Sequence, residues 1–204
     1  MAQPTATVFV VDDDASVRES LALLMRSIDL DVETFASAPD FLDGYDASRL
    51  GCLILDVRMP GMSGLELQEV LEARRLTLPI IFLTAHGDVP MAVKAVKAGA
   101  VDFLQKPFRD QDLIDKVQHA LARHATTMEK RAGREEVTAR IASLTRREHE
   151  VMDMVVEGKA NKVIAIDLGL SQRTVEIHRA RVMKKMRADS LSHLVQMVLQ
   201  AKHD

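Results

Sequence analysis

With a single cysteine, this chain of 204 residues cannot form an intrachain disulfide. Cys52 sits in an apolar run, which reads as a small buried hydrophobe in a reducing compartment. Tryptophan is absent and Phe and Tyr together make up 3% of the residues, so any core must be aliphatic, with the 11 Met filling gaps. Long apolar runs are missing as well. No stretch is long enough to span a bilayer and no charged-then-apolar leader opens the chain, so a soluble, cytoplasmic protein is expected. A hydrophobic content of 47% suffices to build one or two packed domains.

Strong net charge is also lacking, but the value of -3 hides an asymmetry. Residues 1–121 hold 11 Lys/Arg against 19 Asp/Glu, a balance of -8, and residues 122–204 hold 16 against 11, a balance of +5. A basic C-terminal half suits a polyanionic partner, and an acidic N-terminal half does not.

The first half alternates short apolar runs with helical patterns. Residues 7–11 read as a buried strand. Asp14 can cap the next helix, whose Val17, Leu21, Leu24 and Ile28 share one face. Residues 32–35, 52–55, 80–84 and 101–104 read as four more strands. Helices are expected near 38–43, from 64 to about 73, over about 89–98, and from 110 past 124. Five strands alternating with five helices predict an α/β doubly wound parallel sheet covered on both faces. A charged stretch over 125–142, with Gly133 inside it, reads as a partly helical linker. The remainder is helical in pattern. Thr145-Arg146-Arg147-Glu148 is a capping box, Gly158 ends that helix, Asn161 can start the next, Gly169 turns, Ser171 caps a longer helix to about 187, and Ser190 caps the last. The expected division is a first domain over 5–122, a helical linker over 123–141, and an all-α helix-turn-helix domain over 142–204.

In a doubly wound sheet the ligand lies at the carboxyl ends of the strands. Those ends carry Asp12-Asp13-Asp14, Asp56, Thr84 and Lys106-Pro107. Singly, each is an ordinary helix cap or surface turn. Together, at four strand ends, they form a site. Clustered carboxylates resist ionising unless a cation is near, and Mg²⁺ is suited to one or two carboxylates, waters and a phosphate oxygen. A cation beside Asp56 would let its oxygen attack an anionic phosphoryl donor, with Lys106 and the Thr84 hydroxyl holding the other phosphoryl oxygens. Asp14 is assigned mainly to capping.

These segments, Val10-Val11-Asp12-Asp13-Asp14, Leu55-Asp56-Val57-Arg58-Met59-Pro60-Gly61, Leu83-Thr84-Ala85 and Asp102-Phe103-Leu104-Gln105-Lys106-Pro107, resemble the motifs of a CheY-like receiver. The resemblance implies Asp56 as phospho-acceptor and Mg²⁺ (or Mn²⁺) held by Asp13, Asp56, the Arg58 backbone carbonyl and, through water, Asp12. It further implies that Lys106 pairs with the phosphoryl group, that Thr84 and Phe103 form a switch pair, and that the Lys106-Pro107 peptide is cis. Phe stands at 103 where Tyr is commoner, so this ring cannot hydrogen-bond when it turns inward.

In the helix opened by Ser171, the spacing of Val175, Val182 and Met186 turns them to the core. Arg173, Glu176, Ile177, Ala180, Arg181 and Lys184 are left facing outward. Cations suit phosphates, and Ile177 and Ala180 suit thymine methyls. Residues 159–187 hold eight Lys/Arg against two Asp/Glu, which argues against an incidentally charged face. Leu144-Thr145-Arg146-Arg147-Glu148, Asn161-Lys162-Val163-Ile164-Ala165 and Arg173-Thr174-Val175-Glu176-Ile177-His178 resemble the LuxR-type domain, and its pairing with a receiver resembles the FixJ branch of the NarL/FixJ family. That resemblance implies DNA contacts from Lys162, Arg173, Thr174, Glu176, Ile177, His178 and Arg181. His178 either packs beside Val175 and Val182 or bonds a phosphate. His119, His124, His149, His193 and His203 show no metal-ligand spacing and read as surface or half-buried.

The expected function is a two-component transcriptional regulator. A sensor histidine kinase would phosphorylate Asp56. Homodimerisation through about residues 89–103 and operator binding in the major groove would follow, with RNA polymerase as a further partner and activation the commoner outcome. Asp12 and Asp14 have the Asp-x-Asp spacing of aspartyl-phosphate phosphatases, but no sequence is left for a cap domain, so no enzyme is expected beyond slow autodephosphorylation. A receiver serving only as a docking module fits poorly with the full set Asp13, Asp56, Thr84 and Lys106.

Overall fold

The computed structural model describes residues 6–84 and 99–202. Two compact units divide between residues 128 and 129. In the first, strands β1 (Thr7–Val11), β2 (Asp31–Phe35), β3 (Gly51–Asp56), β4 (Ile80–Thr84) and β5 (Asp102–Gln105) form one parallel sheet in the order β2-β1-β3-β4-β5. Every residue of β1, β3 and β4 is buried, as expected of inner strands covered on both faces, whereas the edge strands β2 and β5 are partly exposed. Alternation along the strands sends side chains to two cores. Phe9, Val11, Leu53, Leu55 and Phe82 face one layer, and Val8, Val10, Ile54, Ile81 and Leu83 face the other.

Helix α1 (Ala15–Arg26) is capped by the Asp14 side chain, which accepts from Ser16 N–H. The Ser16 hydroxyl and amide hold the Asp14 carboxyl below its ordinary value, in keeping with a capping role. Helix α2 (Ala38–Gly44) follows β2, and α3 (Gly64–Ala73) opens on a capping box of Ser63 and Glu66. The expected helix over 89–98 lies outside the described residues. β3 reaches one residue further at each end than the apolar run indicated, because Gly51 pairs with Thr7 of β1 and Asp56 pairs with Leu83 of β4. β5 begins at Asp102, one residue late, with the Val101 N–H already bonded to Ile80 O at 2.9 Å.

Helix α4 runs from Asp110 to Ala142 without a break, so the stretch expected as a partly helical linker is continuous helix. Gly133 costs about 1 kcal/mol relative to Ala. That is offset by the i,i+4 pairs Arg131–Glu135 and Arg140–Glu136, and by Val137 and Ile141 packing on the second unit's core. Earlier in α4, Leu113, Val117, Ala120 and Leu121 pack on the sheet.

The second unit adds α5 (Arg146–Val156), α6 (Asn161–Leu168), α7 (Gln172–Met186) and α8 (Leu191–Lys202). Its core gathers Val151, Val155, Ile164, Val175, Val182, Met186, Leu194 and Val198. Thr145 and Glu148 form the expected capping box of α5. Gly169 closes α6 at φ 65°, a left-handed turn that favours a residue without Cβ, and Ser171 caps α7 two residues later.

Candidate phosphoryl-acceptor pocket and nucleic-acid interface

The chain passes from β1 to β2 on one side and then places β3 on the other side of β1, so a crevice opens between the carboxyl ends of β1 and β3. Asp12 follows the last residue of β1, and Asp56 is the last residue of β3. Both are nearly buried, at 2% and 8% exposed. Lys106, just after β5, reaches between them. Its Nζ donates to Asp12 Oδ2 at 2.8 Å and to Asp56 Oδ1 at 3.0 Å. Burial alone would pull the ammonium pKa down, but the hydrogen bonds and charges of Asp12 and Asp56 outweigh it and hold the group above its ordinary value. The second Asp56 oxygen, Oδ2, accepts from Arg58 N–H at 2.7 Å.

The approach of α3 to this strand end needs a glycine. A Cβ at Gly64 would lie 2.2 Å from the Asp56 carbonyl oxygen. Gly64 N–H bonds Val57 O at 3.1 Å, so the loop from 57 to 63 closes tightly over the acceptor strand. The Lys106-Pro107 peptide is cis, as the receiver resemblance implies, and Lys106 N–H bonds Thr84 O at 2.7 Å. Thr84, 8% exposed, ends β4 beside it, while Phe103 on β5 is 36% exposed. The structure thus brings Asp12, Asp56 and Lys106 into direct contact, with Thr84 at the adjoining strand end. Asp13 is exposed beside Asp12. Among the described residues no group of three or more His, Cys, Asp or Glu is gathered about one metal position. Two convergent carboxylates next to a third, all oxygen donors, still fit a hard divalent ion.

Arg18 was not singled out from the sequence. It donates from α1 to the Asp12 carbonyl at 2.7 Å and pins the β1–α1 turn. A lone Arg on an amphipathic helix carries no signal of such a contact.

In the helical unit, α7 buries Val175, Val182 and Met186 as their spacing requires. Arg173, Glu176, Ile177, Ala180, Arg181 and Lys184 are exposed, Ile177 at 46%, and Thr174 is half-buried. Lys162 is exposed on α6. Several other cations of this unit are occupied by ion pairs. Arg131, Arg140, Arg146, Arg147, Lys159 and Lys185 each face a carboxylate. Among the described residues Lys162, Arg173, Arg181 and Lys184 have none, so their charge is available to an external anion. His178 lies half-buried, and its Nδ1 is buried with no hydrogen-bond partner.

His124 departs from the expectation of a surface or half-buried side chain. It is 2% exposed, and its Nδ1 accepts from Gly51 N–H at 3.0 Å. The reason is its place on α4, three residues after the buried Leu121, on the face against the sheet. Of the others, His119 is exposed, His149 and His193 lie beside Asp153 and Asp189, and His203 is outside the described residues.

Residues 8–118 match the response regulator receiver domain family, and residues 142–198 match the bacterial regulatory proteins of the luxR family. The chain belongs to the FixJ-like two-component response regulators. This regulator is 52% identical to the transcriptional regulatory protein FixJ of Azorhizobium caulinodans, across 95% of its own length and 92% of the relative's. It is 50% identical to the transcriptional regulatory protein TdiR of Thauera aromatica, across 95% and 86%. Among solved structures, the response regulator StyR matches at 47% identity with a TM-score of 0.88, covering 96% of this chain and 99% of that one. The regulator therefore joins a receiver to a LuxR-type DNA-binding domain and acts as a transcriptional regulator of a two-component system. No helix among its described residues is long and apolar enough to cross a membrane.

Proposed function

We propose that Asp56 is the phospho-acceptor of this regulator and that its phosphorylation by a sensor histidine kinase controls DNA binding by the α6–α7 pair. The supporting observation is the Asp56 carboxylate itself. It is nearly buried at the strand-order reversal, and a lysine shared with Asp12 binds one of its oxygens. In the transfer, a carboxylate oxygen of Asp56 attacks the phosphorus of a phosphohistidine, the P–N bond breaks, and the imidazole leaves. Lys106 is placed to follow the charge from the carboxylate to a phosphoryl oxygen, and the Thr84 hydroxyl to take another. Asp13, Asp56, the Arg58 carbonyl and, through water, Asp12 would hold Mg²⁺ (or Mn²⁺), which supplies charge neutralisation between acceptor and donor. Thr84 and Phe103 act as the switch pair, and phosphorylation promotes homodimerisation. The surface over residues 89–103 assigned to that contact lies mostly outside the described residues.

The receiver spans 5–122 and the DNA-binding domain 142–204, with residues 123–141 joining them, a division the family matches over 8–118 and 142–198 support. Lys162, Arg173 and Arg181 meet phosphates, and Thr174, Glu176, Ile177 and Ala180 meet base edges in the major groove. His178 bonds a phosphate through its exposed side while its ring packs by Val175. The regulator works in the cytoplasm, activates transcription together with RNA polymerase, and catalyses nothing beyond slow loss of its own phosphoryl group.

Incubation with a small phosphodonor and Mg²⁺, followed by intact-mass measurement and DNA titration, tests this. One acid-labile phosphoryl group and tighter operator binding are expected. Labelling at another residue, or labelling without effect on DNA affinity, would contradict the proposal.

A further inference from the structure

We propose that Arg179 and Asn161 form a cross-helix brace that positions Lys162 for its phosphate contact. The inference rests on the reading of Lys162 as a DNA-phosphate ligand. Helix α6 starts without a side-chain cap, because Ala160 occupies the position where Ser, Thr, Asp or Asn would normally accept from the first turn. Asn161, the first helical residue, does not supply the missing cap. Its Oδ1 instead accepts from Arg179 Nη1 of α7 at 2.9 Å. The start of α6 is therefore fastened from the neighbouring helix. This fixes where the first turn of α6 stands relative to the exposed face of α7 that carries Ile177, Ala180 and Arg181.

Lys162 is the next residue along. Two positions before the brace, Lys159 spends its charge on Asp167 at 3.2 Å and Glu157 at 3.5 Å. Lys162 has no carboxylate partner among the described residues and is exposed, so only the placement of its backbone restricts where its ammonium can reach. A long side chain on a wandering helix start loses conformational freedom on binding, and one on a fixed helix start loses less. Arg179 and Asn161 thus act through Lys162 as positioning residues.

Asn161→Ala isolates the effect. It removes the acceptor, changes no charge, and places a better helix former at that position. The full chain would be titrated with a duplex of random sequence at several salt concentrations, alongside Lys162→Ala, the double variant, and their melting curves. Lys162→Ala is expected to weaken binding about tenfold and lower the salt slope by about one. Asn161→Ala should melt as the parent does, yet bind about threefold more weakly with part of the same slope change. The double variant should bind no more weakly than Lys162→Ala. Losses that multiply, an unchanged Asn161→Ala, or a weakened Asn161→Ala with the parent's slope would overturn the brace alone. A Lys162→Ala variant that bound as the parent does would overturn the reading of Lys162 and the brace with it.

Discussion

Glu148→Gln should destabilise the helical unit at neutral pH and spare it in acid. Glu148 is 3% exposed. Its Oε2 accepts from Lys185 Nζ at 2.7 Å and from Thr145 N–H at 2.8 Å, and Lys185 also donates to Ser143 O at 3.1 Å. The Lys185 hydrogen bond first, and the Thr145 amide second, pull the carboxyl from its ordinary 4.5 to about 2 against the opposing effect of burial. Fully expressed, that displacement is worth about 3 kcal/mol. Lys185 is 36% exposed, so water screens the pair and about 2 kcal/mol is the better expectation. A folded pKa below the unfolded one stabilises above about 4.5, and this contribution disappears as pH falls toward about 2. Gln keeps an acceptor for Thr145 N–H, so the capping box survives and the charge is what is lost. Urea unfolding would be followed by the methyl NMR signals of Val151 and Val182, which belong to the helical unit. Tyr45, the one tyrosine, reports the receiver separately, so the two units need not unfold together. The expected result is a gap of about 2 kcal/mol at pH 7 that narrows steadily below pH 4.5. An unchanged midpoint at pH 7, or a gap as wide at pH 3 as at pH 7, would contradict this role for the Glu148 charge.

Other outcomes follow from the same geometry. His124→Leu leaves Gly51 N–H unpaired and should cost the receiver about 1–3 kcal/mol at pH 7.5. Burial holds the imidazole below its ordinary 6.5, so the parent loses the contribution as pH falls through and below that value. The cost by Tyr45 fluorescence should therefore shrink by pH 5, and a pH-independent cost would contradict the neutral acceptor. Arg181→Ala should weaken operator and random DNA alike and lower the salt slope by about one. Ile177→Ala should instead cost about 1–3 kcal/mol at one base position and leave the slope unchanged; a full operator-to-random ratio in that variant would reverse the facing of α7. Phosphorylation should shift the sedimentation of the chain from monomer to dimer, because paired heads gain affinity on paired half-sites, and tight operator binding by a phosphorylated monomer would exclude that route.

What the sequence could convey depended on periodicity and on local chemistry. The buried strands announced themselves as unbroken apolar runs, and the caps at Asp14, Thr145 and Ser171 as polar residues at helix starts. Acidic and cationic residues at successive strand ends marked the pocket, because parallel topology brings those ends together. Contacts between residues far apart in the chain left no such trace. His124 meets Gly51 across 73 positions, and Arg179 meets Asn161 from a neighbouring helix. Each looks like an ordinary surface residue until the fold places its partner. The continuity of α4 was hidden for a different reason. Gly133 and a polar composition suggest a break, while the i,i+4 ion pairs and the packing of Val137 and Ile141 hold the helix together.

The control proposed for this regulator depends on Asp56 receiving the phosphoryl group. The most direct test compares the parent chain with Asp56→Asn, each incubated with a small phosphodonor and Mg²⁺ and then weighed intact before and after acid treatment. Asn is nearly the same size and leaves Asp12 to pair with Lys106, so the variant should keep the parent's circular dichroism and unfolding midpoint. One acid-labile phosphoryl group is expected on the parent and none on the variant. A folded Asp56→Asn chain that labels as fully as the parent would contradict it.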